Sequence, residues 1–126
     1  MKKIIPCIIL FVLCACGTNP NVKSYRDEAK LEAQLVVDLY LAAYNATQDF
    51  LLNPYVDQEK KDIVKREITP KLNQFKRDLI QVFSGLDDPN ANDWELLRQV
   101  RMLERNMEDL INNMRKIGIS VRGLKQ

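Results

Sequence analysis

The stretch LLRQVRMLERNMEDLINNMRKI, residues 96–117, decides the fold. Leu96, Val100, Leu103, Met107, Leu110, Met114 and Ile117 follow one another at alternating steps of four and three. That spacing puts all seven on one side of an α-helix and gives an a/d seam over three heptads. The residues in front supply a start signal. In Asn92-Asp93-Trp94-Glu95 an Asn stands three positions before a Glu, the pattern of a capping box. Gly118 supplies the stop, since glycine enters the left-handed conformation that closes many helices. Residues 118–126 are then read as a basic C-terminal tail.

Two further helices are expected ahead of this one. Ser24 and Asp27 fit an N-cap with an acidic residue three positions on. Behind them Leu31, Leu35, Leu39, Ala42, Ala46 and Phe50 form a stripe, which Val36, Tyr40 and Ala43 widen enough to touch two neighbours. Asn53-Pro54 ends that helix, because the residue before proline disfavours helical geometry. Asp57 caps the next helix, whose stripe is Val64, Ile68, Leu72, Phe75, Leu79 and Val82. Pro70 falls inside it. Read with Thr69 as an internal cap and Pro70 in the first helical position, it produces a kink or a short break. Ser84-Gly85 is expected to end this second helix, with residues 86–90 as a loop. The fold class is therefore all-α: an antiparallel three-helix up-down-up bundle over residues 24–117, the second helix kinked or broken at Pro70.

The first sixteen residues concern address. Met1-Lys2-Lys3 is followed by an uncharged run from Ile4 to Ala15. Twelve residues fall short of the roughly 20 that a bilayer-spanning helix needs, but they have the layout of an export signal. Leu13-Cys14-Ala15-Cys16 resembles the lipobox of bacterial lipoproteins, with Cys14 where Ala, Ser or Thr is more usual. The resemblance implies that residues 1–15 are a cleaved signal peptide, that Cys16 carries a diacylglycerol thioether, and that its new amine takes a further acyl chain. An ordinary cleaved signal without lipid is the alternative, and it has no need of a cysteine at this position. Two or more acyl chains anchor stably where one is marginal. Gly17, in a position where Asp would favour inner-membrane retention, points to the outer membrane facing the periplasm. Residues 16–23 hold the lipidated cysteine and a linker whose seven residues reach at most ~25 Å. The folded part is thus expected to stay close to its membrane.

Composition limits the chemistry. Removing Lys2 and Lys3 with the signal leaves 17 basic residues against 17 acidic, which gives no bulk argument for nucleic acid. The three cysteines, at 7, 14 and 16, all lie in this N-terminal segment, two of them lost with the signal and Cys16 consumed by lipid. The mature domain so keeps no free thiol for a disulfide, a metal or a nucleophile. Histidine is absent from the whole sequence, which removes the commonest general base and metal ligand. No phosphate loop or nucleophile motif is present. The expectation is no enzyme, no catalytic residue, no metal, no cofactor beyond the lipid on Cys16, and no small-molecule substrate. Carboxylates stand at i,i+4 in Glu28/Glu32 and Glu104/Glu108. The second pair admits a metal reading, but Arg101, Arg105 and Asp109 interleave with it. Arg105, three and four residues before Glu108 and Asp109, makes it ordinary ion-pair lacing. Asp38 marks the wet side of the first helix, or, facing inward, would need Arg98 or Arg101 as a partner. Tyr40, Tyr44 and Tyr55 are candidates for core-edge packing or a recognition patch.

Two surfaces are candidates for contact with partners. The seam Leu96, Val100, Leu103, Met107, Leu110 and Met114 is one, for an envelope protein or for self-association of the third helix. Arg115, Lys116, Arg122 and Lys125 form the other, four cations without an acid, suited to anionic headgroups or cell-wall polymer and also favourable in themselves at a helix C-terminus. The functional expectation is a non-catalytic interaction or scaffold module tethered in the cell envelope. The plan also resembles small helical lipoproteins of phages and prophages: a lipobox, a short linker, Tyr44-Asn45-Ala46 late in the first helix, and Val56 to Glu59 opening the second. That resemblance implies a mobile-element lipoprotein acting in lysis, exclusion or modification of the host envelope.

Overall fold

The computed structural model describes residues 24–122. The signal segment 1–15, Cys16 with its linker to residue 23, and Lys125 lie outside the described residues. All the regular structure among the described residues is helical: α1 Tyr25–Leu52, α2 Gln58–Glu67, α3 Thr69–Leu86 and α4 Asp93–Ile117. Because α2 and α3 follow each other through Ile68 alone, the architecture is three helices, one of them bent.

The ends of these helices follow their local chemistry. The Ser24 hydroxyl accepts from the Asp27 amide at 3.1 Å, and the Asn92 side chain accepts from the Glu95 amide at 2.9 Å. Each satisfies one amide that the first helical turn leaves without a partner. At the other end of α4, Gly118 adopts φ 107°. Its amide donates to Arg115 O and the Ile119 amide to Met114 O, so two terminal carbonyls are satisfied. A side chain at Gly118 would be strained by the left-handed backbone.

Three expectations about the second helix change. Asp57 precedes α2 as foreseen but makes no capping hydrogen bond through its side chain. Thr69 does not cap either; its hydroxyl is buried and lacks a partner among the described residues. Ile68 instead keeps a helical conformation, donating to Val64 O and accepting from the Leu72 amide. The chain therefore bends at Pro70, which has no N–H to offer the carbonyl four residues back, and does not part. Gly85 is no stop. It lies inside α3, which runs on to Leu86, and a Cβ there would come within 2.7 Å of Leu96 Cδ2. The missing side chain allows α3 and α4 to approach where they are joined.

One core unites α1, α3 and α4, and α1 packs most extensively on α4. From α4 Leu96, Val100, Leu103, Met107, Leu110 and Met114 of the expected seam are buried, with Ile117 half-buried at its end. Leu97 and Ile111 are buried as well, flanking the seam where the helix meets a second neighbour. From α3 come Leu72, Phe75, Leu79, Val82 and Leu86. The face of α1 follows the expected one from Val36 onward, where Val36, Ala43 and Ala46 are buried and Leu39, Tyr40, Ala42 and Phe50 pack against the core. It differs in the first turns: Ala29 and Ala33 turn inward, whereas Leu31 and Leu35 are 52% and 53% exposed. The large side chains of α4 fill the space between the helices, so α1 meets them with small residues at close approach. Thr47 is buried without cost, its hydroxyl donating to Ala43 O at 2.8 Å. The segment after Gly118 is more than a tail, since Ile119 and Val121 are buried in the same core.

Candidate functional site

The start of α1 is held by one side chain. Arg26 donates from Nε to Asp93 Oδ1 at 2.8 Å. From its two terminal nitrogens it reaches Leu86 O at 3.2 Å, Asp88 O at 2.8 Å and Ala91 O at 2.9 Å. A planar guanidinium has donors enough for this fork; a point-charge ammonium does not. These bonds tie the first turn of α1 to the last turn of α3, the α3–α4 loop and the first turn of α4. Directly beside them, Tyr25 and Trp94 pack ring to ring, centroids 5.1 Å apart and planes tilted by 54°. Both remain about half exposed, at 53% and 47%.

Further along the α1–α4 contact, Arg101 reaches across to Glu28 at 2.9 Å and to Glu32 at 3.4 Å. The pairing is therefore between helices, where lacing within α4 was expected. Arg105 lines the shallow cavity of about 240 Å³ that Glu32, Arg101, Glu104 and Glu108 share with it. Glu104 falls one heptad after Leu97 and one before Ile111, both buried. Partial burial first, then the charges of Glu32 and Glu108, hold its carboxyl above the ordinary carboxylate value, against the opposing pull of Arg101. The ionised form is thus disfavoured by folding, and the sign of the pH dependence follows. At neutral pH the charge opposes folding; as pH falls through the raised value the folded state takes up a proton first and that cost disappears. Glu104→Gln should raise stability by a few tenths of a kcal/mol near pH 7, the scale of a like-charged i,i+4 pair, with the gain vanishing at about pH 3.5. Thermal melts at the two pH values check it, and an equal gain at both would contradict the assignment.

At the other end of α1, its last turns face the segment that follows α4. Ala42, Asn45, Asp49, Phe50, Ser120 and Arg122 line part of a groove of about 420 Å³. Of the cations expected to act together, Lys116 and Arg122 are exposed while Arg115 is partly buried. The Arg115 Nη2 atom is shielded from solvent and has no hydrogen-bond partner among the described residues. Tyr40 and Tyr44 stack on α1 with centroids 6.1 Å apart. Burial, and secondarily Tyr44, push the Tyr40 phenol up. Tyr55 stands in the α1–α2 loop, 93% exposed. Asp38 is exposed, on the wet side of α1. Arg98, one of its two conceivable partners, pairs with Glu95 instead.

The seam of α4 is not a free surface. Leu96, Val100, Leu103, Met107, Leu110 and Met114 are all buried inside this chain's own core, so a partner would have to displace α1 or α3 to reach them. Heptad spacing shows that a face will be covered and does not show by which helix. Outward apolar side chains lie on α1 at Leu31, Leu35 and Leu41, with Ile80 on α3 and Met102 on the outer side of α4 standing singly. Among the described residues no three acidic, cysteine or histidine groups gather as a metal site would require. No described helix is long and apolar enough to cross a membrane. No family model, curated protein or solved structure matches the chain.

Proposed function

We propose that this chain is a lipid-anchored, non-catalytic interaction module of the bacterial cell envelope. The observation that carries the reading is Leu13-Cys14-Ala15-Cys16, placed between a short apolar run and a linker of seven residues. The acyl chains on Cys16 hold the domain to the outer membrane on its periplasmic side. The helices run up, down and up. That topology is supported by Arg26 joining the start of α1 to the end of α3 and the start of α4, and by the groove between the end of α1 and the segment after α4.

With α4 occupied internally, the outer face of α1 becomes the partner surface. Leu31, Leu35 and Leu41 are apolar side chains about half exposed, which a scaffold module can present to an envelope protein. Arg122 and Lys116 fall at the far end of the module, about 30 Å or more along α4 from Trp94. An anionic polymer beyond the membrane is within their reach.

A photo-crosslinking side chain in place of Leu35, in cells making the full chain, tests this function. An adduct to an envelope protein is expected from protein whose extracted mass shows residues 1–15 removed and acyl chains added. The adduct should disappear with Cys16→Ala. Acylated protein that gives no adduct from Leu35 would sink the partner surface, and unacylated protein would sink the anchor.

A further inference from the structure

We propose that Tyr25 and Trp94 form an aromatic foot that seats in the headgroup layer of the membrane holding Cys16, so that the molecule stands end-on. The inference rests on the lipid anchor and adds what the anchor alone leaves open, the orientation of the folded part.

Two amphipathic rings are packed against each other at one end of the molecule, each with about half its surface uncovered. Tyrosine and tryptophan favour the boundary between water and acyl chains, where the ring is dry and its polar atom is wet. The position of the pair relative to the anchor makes the membrane the fitting occupant. Tyr25 opens α1 nine residues after Cys16, which confines it to within ~30 Å of the anchor. A contact too weak to recruit a free protein becomes effective once a tether has already restricted translation.

Charge at this end is arranged compatibly. Of the acids nearest the rings, Asp93 is paired with Arg26, Glu95 with Arg98 and Glu28 with Arg101. Asp27, Asp87 and Asp88 have no such ion pair among the described residues. The foot therefore suits a zwitterionic surface better than an anionic one. The rings are also fixed rather than free to fold away, because the Arg26 bonds immobilise the turns that carry both.

Trp94 is the only tryptophan of the chain and serves as its own probe. The full-length product is purified from membranes, its mass is measured, and it is reconstituted into phosphatidylcholine vesicles with or without brominated acyl chains. For acylated protein, bromine should quench Trp94 emission about twofold, as for a ring at the interface. A second protein carrying Trp94→Phe and Tyr55→Trp puts the probe at the far end of α1, about 40 Å away, where bromine should leave emission unchanged. Adding phosphatidylglycerol should weaken quenching of Trp94. Acylated protein with Trp94 unquenched, quenching at both positions, or stronger quenching on anionic vesicles would each overturn the foot. A mass without acyl chains would remove the anchor and the foot with it, and the mass separates that failure from the others.

Discussion

Met107→Asp is expected to abolish the cooperative thermal transition. Met107 is fully buried in the middle of α4, one heptad before Met114 and one after Val100, both also buried. A carboxylate there leaves water with no cation within the core to receive it. An unpartnered buried charge costs at least several kcal/mol, and a domain of this size is stable by about 5–15 kcal/mol in all. Far-UV circular dichroism should show a broad, non-cooperative melt. Met107→Leu, which keeps volume and polarity, should cost less than about 1.5 kcal/mol and melt sharply. The pair of variants bears directly on the seam. A normal melt for Met107→Asp would put the seam back on the surface and make α4 a partner-binding helix again.

Arg26→Ala is expected to have the next largest effect. The substitution removes an ion pair to Asp93 and the side-chain donors to the backbone carbonyls of Leu86, Asp88 and Ala91, of which Asp88 O keeps the Ala91 amide. Arg26 is only 18% exposed, so water replaces those bonds incompletely. The loss should be about 2–4 kcal/mol, or a melting temperature lower by about 10–20 °C for a domain near 100 residues. Arg26→Lys should recover only part, because an ammonium cannot make the same fork. A melting temperature for Arg26→Ala within about 2 °C of the parent would show that the fork adds nothing.

What was legible in the sequence depended on distance along the chain. The caps at Ser24 and Asn92, the left-handed Gly118 and the bend at Pro70 each follow from residues within one turn of one another. The stripe of α4 was legible because its helix has one strongly apolar side. In α1 there are two, and choosing the larger side chains favours Leu31 and Leu35 over Ala29 and Ala33. Periodicity alone does not say which side meets a neighbour already filled with Leu and Met. Gly85 has the look of a stop because the sequence does not show that Leu96 will lie against it. Arg26 was invisible as an organising residue, since three of its acceptors are backbone carbonyls at least 60 residues away. Every residue has a carbonyl, so composition carries no trace of such a site. Ile119 and Val121 did leave a signal, an alternation of apolar residues just past the helix stop.

The bend at Pro70 bears on how stiffness is distributed. Of the ten residues of α2 only Val64 is buried, and the helix touches α1 far less than α3 or α4 does. Pro70 removes one rung of the hydrogen-bond ladder that would bind α2 to α3. Local opening draws on segments with few buried contacts, and α2 is the poorest in them. Its amides should exchange with solvent deuterium well before those of α1 and α4, without passage through the unfolded chain. Stiffness is thus graded among the helices, with Arg26 clamping the first turns of α1 and α4 and α2 left compliant. Strain applied at α2 can be absorbed there without loosening the turns that carry Tyr25 and Trp94.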